Sequence, residues 1–486
     1  MASSFGGINT ALTSLYAQRR GLDVTGQNIA NANTEGYTRQ RVDMQSQVGS
    51  VVPVRWATTD GLGTGVAVSD VQRLRDQYLE NRGRTEHANS AYLTNQASAY
   101  ASLEDTFAEP GATALQAQMH DMWASWGDVG DAADSDAARS ALIAQSNVVA
   151  DGLNDAYDSL SGQFTANRTQ LAAYAEQVNS AASSIAQLND SIVKAKATGV
   201  VVNELEDRRD SEVMKLAQLT GATAQSREDG SLDVFVGNNL LVTRMTARTM
   251  VPSGVTTLAA QRAALADPSA GPKPAGLSWS DTGSAVQAGG TMGSMLDTMN
   301  KVVPGMADKL DKVASTLIAT VNAAQAASYK ADGTAGGDFF SGTFSGDIKV
   351  AITNPRDIAA SGRNEVAADG TPVLNPDGTP KGTYDGSAAR DLATTSTKAG
   401  SPDGFYQTMI AELGVSAQTS SRRSEIQTNV TEQVDAARES ESGVNLDEEM
   451  TNLLTYQRGY EAASRVLTTI DSMLDQLINR TGLVGR

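Results

Sequence analysis

The 486-residue chain contains no cysteine and only two histidines, His87 and His120. Disulfides and thiolate metal sites are therefore excluded, and nucleophile–base pairs or imidazole metal sites have little to draw on. Both histidines fall in helical stretches and read as ordinary packed or surface residues. No apolar run approaches the ~20 residues of a membrane span. The first residues have neither a basic region nor a long apolar core, so no ordinary signal peptide is expected. The net charge of −18 is spread without a basic block. That argues against nucleic acid, which needs a concentrated positive surface, and against membrane-surface binding, which uses basic amphipathic helices. Aromatic content is 5 %, a composition that suits long helices with narrow seams.

Proline is absent from long stretches. Ten of the twelve lie from Pro252 to Pro402, so helices can run long on either side of that region but not through it. Residues 3–33 read as one helix stopped near Gly36. Val51, Val52, Val54 and Trp56, the turn Asp60-Gly61-Leu62-Gly63, and Val66 and Val68 read as a hairpin or extended arm. Helices are expected from Asp70 to Phe107, over 112–126 and from Asp136 into the 160s. Leu171, Tyr174, Val178, Ala181, Ile185, Leu188 and Ile192 alternate three- and four-residue steps, a helical seam. It breaks at Thr198-Gly199 and is followed by a helix over 203–220. Leu232, Val234 and Val236 lead through Asn238-Asn239 to Leu240-Leu241-Val242, a β signal. Residues 252–290 read as loose, 292–328 as helix kinked at Pro304, 332–400 as small β with repeated Asp-Gly turns, and 405–479 as helix punctuated at Ser442-Gly443.

The expected fold class is mainly α with inserted β. Three parts are foreseen. Residues 1–40 plus 446–486 form a terminal helical assembly domain, with the two ends paired in a coiled-coil-like rod. Residues 41–222, 291–328 and 402–445 form a helical bundle with a hairpin arm near 41–70. Residues 223–290 and 329–401 form one or more small β-rich outer modules.

Chemical motifs are weak. Gly61-Leu62-Gly63-Thr64-Gly65 lacks the Lys-Ser/Thr ending of a phosphate loop. Asp131, Asp134 and Asp136, and the run Asp332-Gly333 to Asp338, lack calcium-loop spacing. No catalytic, cofactor or metal residues are assigned, and no enzyme activity is expected.

The ends carry the strongest pattern. Ile8, Leu15, Leu22 and Ile29 recur every seven residues; so do Leu453, Tyr460, Leu467 and Leu474, with a second row of Tyr456, Ala463, Ile470 and Leu477. One helix cannot bury such a row alone. The candidate assembly residues are Ile8, Leu12, Leu15, Leu22, Ile29, Asn31, Asn33, Gly36 and Tyr37, with Leu446, Leu453, Tyr456, Gln457, Tyr460, Leu467, Ile470, Leu474 and Leu477. Asn445 is placed to cap the last helix, with Asp447, Glu448 and Glu449 in its first turn.

The string Asn28-Ile29-Ala30-Asn31-Ala32-Asn33-Thr34-Glu35-Gly36-Tyr37 resembles the N-terminal signature of flagellar axial proteins, which comprise rod, hook and hook-associated proteins. Gln457-Arg458-Gly459-Tyr460 resembles their shared C-terminal helix. Gly443-Val444-Asn445-Leu446-Asp447-Glu448-Glu449 resembles the hook-associated branch at the hook–filament junction. This resemblance implies a secreted, extracellular structural subunit exported by the flagellar type III apparatus. The implied partners are other copies of the chain, hook protein, the next hook-associated protein on the filament side, and an export chaperone on the C-terminal helix. A hook or rod protein of the same family, or a cytoplasmic helical scaffold, are the alternatives.

Overall fold

A computed structural model describes residues 4–34, 36–47, 63–267, 269, 271–476 and 478. The arm residues Val51, Val52, Val54 and Trp56, the turn residues Asp60, Gly61 and Leu62, and Leu477 lie outside them. The chain divides into two compact units, one of residues 1–88, 179–248 and 428–486, the other of 89–178 and 249–427.

In the first unit, α1 (Ser4–Ala30) is followed by the strands β1 (Gln40–Gln47) and β2 (Gly65–Arg73). These pair antiparallel, with a register shift at Asp43/Met44. Val24 of α1 is buried with Val42 and Val71, and Met44 and Val68 pack on them. The pair therefore lies against α1, because its alternating residues supply one apolar face. The chain then enters α2 (Gln77–Phe107).

In the second unit, α3 (Leu115–Asp131) buries Met119, Met122, Trp123 and Trp126. The helix α4 (Asp136–Ala197) is one continuous element of 62 residues, of which 136–178 belong to the second unit and 179–197 to the first, where the sequence suggested two stretches. Its seam is real: Leu171, Val178, Ile185 and Ile192 are fully buried, as are Ala175 and Ala182 between them. Tyr174 and Leu188 sit at its edge, half-buried. The following α5 (Asn203–Thr220) belongs to the first unit and ends at Gly221, whose φ of 69° favours glycine.

The β signal after α5 is a meander of β3 (Thr223–Ser226), β4 (Leu232–Val236), β5 (Asn239–Thr243) and β6 (Thr246–Ala247), paired in that order. The nominally loose 252–290 region holds the antiparallel pair β7 (Met250–Ser253) and β8 (Gly276–Trp279) and the helix α6 (Leu258–Ala266), capped by Thr257. Tertiary burial of Leu258, Gln261 and Ala264 overrides a weak local signal there. Next come α7 (Gly290–Asp297), a π-helical turn over 298–302, and α8 (Val303–Ala326). The π turn sits directly before Pro304, which lacks an N–H for the ladder.

Residues 332–400 keep the expected Asp-Gly turns. Asp332, Asp369 and Asp377 each accept hydrogen bonds from the amide and hydroxyl of the threonine two residues on. The described strands there are only β9 (Phe340–Ser341) and β10 (Lys349–Val350), and the segment also contains α9 (Ser387–Ala393). It is organised instead by buried amides. Asn322 of α8 accepts from the Phe339 and Phe340 amides and donates to the Phe340 carbonyl, while Gln325 brackets Ala359 in the same way. The chain ends in α10 (Pro402–Ser442) and α11 (Leu446–Asp475), so Ser442-Gly443 is the break the sequence indicated. Among the described residues no helix is long and apolar enough to cross a membrane.

Candidate assembly site: the terminal helix pair and its elbow

The helices α1 and α11 pack against each other. Their direction follows from matched positions. A Cβ added at Gly7 would meet Ile470, one at Gly21 would meet the Tyr456 ring, and one at Gly459 would meet Gln18. Asn28 bonds Glu449. Rising numbers on α1 meet falling numbers on α11, so the pair is antiparallel.

The contact sets small residues of α1 against the Tyr456 ring and Ile470 of α11. At Gly21 the added Cβ would lie 2.7 Å from the Tyr456 ring, so glycine sets the approach of the two helices. Ala11 and Ala17 on α1 and Ala463 on α11 are also buried. Of the candidate residues, Tyr456 and Ile470 lie at this contact. Ile8, Leu15, Leu22 and Ile29 form a row one position removed from Gly7, Gly21 and Asn28, and are half-buried. Leu453, Leu467 and Leu474 are half-buried too, while Leu12 is 38 % exposed, Tyr460 37 % and Leu446 50 %. Gln457 and Asn33 are exposed. Apart from Tyr456 and Ile470, the large apolar side chains thus flank the pair instead of closing it.

Where α1 ends, the chain folds back through an elbow. Asn31 donates to the Gln27 carbonyl and Gly36 takes φ 79°. Asn28, 1 % exposed, is its centre. Its amide donates to the Gln40 carbonyl at 2.8 Å and to Glu449 Oε2 at 3.0 Å. Its Oδ1 accepts from the Tyr37 hydroxyl at 2.8 Å and the Gln40 amide at 3.0 Å. Arg39 donates to Glu449 Oε1 at 2.8 Å and to Glu448 at 2.7 Å, and its backbone amide bonds the Ser442 carbonyl. One buried amide therefore joins the end of α1, the start of β1 and the first turn of α11. Asn445 caps α11 as its position suggested, accepting from the Asp447 and Glu448 amides. Glu449, though, is 2 % exposed and serves the elbow, not merely the helix dipole.

Behind the elbow lies a buried ionic hub. Asp210 receives Arg73 at 2.9 Å, Arg84 at 3.4 Å, and Arg75. Burial opposes its charge, but Arg75, Arg73, Arg209 and Arg84 outweigh that and hold its pKa below the usual carboxylate range. Asp207 accepts from the Thr38 amide and from Arg73, yet burial prevails and its pKa is raised. The Tyr37 hydroxyl is pushed up to about 12 by burial and by Asp207, Glu449 and Glu204, so it remains a donor to Asn28. Asn31, Thr34, Gly36 and Tyr37 line one wall of an open cleft of about 680 Å³, faced by Ser184, Gln187 and Arg208.

Sequence reading missed Arg39, Gln40, Asp207 and Asp210. Their partners lie over a hundred residues away or on another element, and no local spacing announces them. His87 sits against Asp435 at 2.9 Å and His120 is exposed in the other unit. Asp131 and Asp136 pair with Arg390 and Arg356. Gly65 begins a strand, not the helix a phosphate loop requires.

Residues 100–340 match the family described as flagellar hook-associated protein FlgK helical domain. Residues 8–38 match flagella basal body rod protein, and 438–480 match flagellar basal body rod FlgEFG protein C-terminal. Flagellar hook-associated protein 1 of Bacillus subtilis is 29 % identical over 521 residues, covering 100 % of both chains. That of Escherichia coli is 26 % identical, covering 97 % of this chain and 99 % of its own. A solved structure, the flagellar hook junction protein FlgK from Burkholderia pseudomallei, superposes with a TM-score of 0.61 at 17 % identity over 74 % of this chain and 100 % of its own.

Proposed function

We propose that this chain, which belongs to the hook-associated protein 1 family of flagellar axial proteins, is a structural subunit of the junction between hook and filament, assembling through its terminal helices. The observation that carries this reading is the inverted character of the helix pair. Glycine and alanine lie inside it, while Leu12, Leu446, Met450, Leu454, Tyr460, Val466 and Met473 are at least 37 % exposed. Large apolar side chains left outside on one element mark a surface meant for partners. Each such residue contributes about 1.5–3 kcal/mol when fully buried, so neighbouring copies supply what the isolated pair lacks.

The partners follow from position in the flagellum: further copies within the layer, hook protein on one side and the next hook-associated protein on the other. Before export through the type III apparatus, a chaperone covers the same apolar face of α11. The assembled location is extracellular, and the role is structural rather than enzymatic.

Immuno-electron microscopy tests the placement. Label is expected in a narrow band at the distal end of the hook; label along the whole hook or rod would transfer the chain to those members of the family. Leu467→Asp tests the site: it should leave the second unit folded and abolish filament attachment, and unimpaired attachment would remove α11 from the interface.

A further inference from the structure

Three sides of α1 can be told apart. Gly7, Gln18, Gly21 and Asn28 face α11. Thr13 and Val24 face the strand pair, through the Val66 amide bond to Thr13 Oγ1 and the Val24–Val42–Val71 cluster. The third side carries Ile8, Leu12, Leu15, Leu22 and Ile29, with Arg19 midway, exposed and without an ion pair among the described residues. On α11, Leu446, Met450 and Leu454 repeat at four-residue steps and are 50 %, 53 % and 51 % exposed. This stripe lies away from Tyr456, Ala463 and Ile470, and carries the exposed Asp447.

We propose that the third side of α1 in one copy is covered by the Leu446–Met450–Leu454 stripe of a second copy, shifted along the axis by about 16 Å, eleven residues at 1.5 Å each. This rests on the self-assembly reading above and adds its register. Charge selects the shift. Within one chain Gln18 lies level with Gly459, so Arg19 lies level with Arg458. Two antiparallel helices from different copies meeting without a shift would bring these two cations together. Sliding by eleven residues replaces Arg458 with Asp447 and sets Leu12 beside Leu454. The cation in the middle of one apolar stripe then meets the anion within the other. The two stripes differ, so the contact is heterologous. Each copy keeps one stripe of each kind for the next, and the axial shift repeated at every step makes the array a helical tubular layer instead of a flat ring or a dimer.

The absence of cysteine allows a direct test in flagella assembled from two single-cysteine versions of the full chain. Mild oxidation of Leu12→Cys mixed with Leu454→Cys is expected to give cross-linked heterodimers. Their yield should exceed by about ten-fold that of Leu12→Cys mixed with Arg465→Cys, the pair an unshifted register brings together. Arg19→Asp should lower the first yield about ten-fold, and adding Asp447→Arg should restore it. A dominant 12–465 product, or no rescue by the charge swap, overturns the register while self-assembly stands. If neither mixture cross-links, and the copies can be separated without dissociating a layer, the self-assembly reading falls with it.

Discussion

Replacing Asn28 is the most searching perturbation of the elbow. Its side chain makes four hydrogen bonds at 2.8–3.0 Å and is 1 % exposed. In Asn28→Ala the Gln40 amide loses its side-chain acceptor, and Glu449, itself 2 % exposed, keeps Arg39 but loses a donor. A buried group left unsatisfied costs about 1–3 kcal/mol, and a bond to a charged group is worth about 1.5–3. The sum, about 3–5 kcal/mol, is a hundredfold or more in local opening. Hydrogen exchange should show that loss of protection in the last turn of α1, in β1 and in the first turns of α11, with the second unit unchanged. Asn28→Asp sharpens the test. It retains the acceptor for Tyr37 and Gln40 but sets a carboxylate against Glu449. At pH 7 it should open more than the alanine variant; as pH falls and the new carboxyl binds a proton, it can donate again and protection should return. Less than a ten-fold change for alanine, or an aspartate variant indifferent to pH, would refute this account of the elbow.

The remaining predictions concern packing and pH. Gly26 has nothing within 4 Å of an added Cβ, whereas Gly21 meets Tyr456; both sit in α1, so Gly26→Ala should stabilise the pair by about 1 kcal/mol and Gly21→Ala should fall about 1–3 kcal/mol below it, read by exchange rates in α1. Asp210→Asn should cost the first unit about 3–5 kcal/mol at neutral pH by stranding buried arginines. Because the Asp210 pKa is depressed, its ionised form stabilises above the ordinary carboxylate pKa, so in chemical denaturation the gap should shrink as pH falls through the folded-state value. Asp403 accepts from Trp123 Nε1 at 2.8 Å, but burial raises its pKa. That contribution is fullest in acid and is lost as pH rises through the raised value. Melting of Asp403→Asn should accordingly improve on the parent more at pH 7 than at pH 4.

By itself the sequence determined the elements whose cause is local. The seven- and three/four-residue apolar spacings mark α1, α11 and the seam of α4; Gly221 marks the end of α5 and Ser442-Gly443 the break between α10 and α11; Asn445 marks a cap; and the Asp-Gly-Thr turns close on themselves. Each depends on residues within a few positions of one another. Periodicity also announced that the terminal helices need partners. Only the tertiary structure decided which side meets which. The helix pair closes on Gly7, Gly21 and Ala463, because small residues permit the nearest backbone approach, and this leaves the conspicuous leucine and isoleucine rows at its flanks. It likewise decided that Asn28 and Glu449, 421 residues apart, share one buried bond, and that Arg73, Arg75 and Arg84 converge on Asp210. Such contacts join positions with no relation along the chain, and a buried charge becomes visible only once the surfaces that desolvate it have come together.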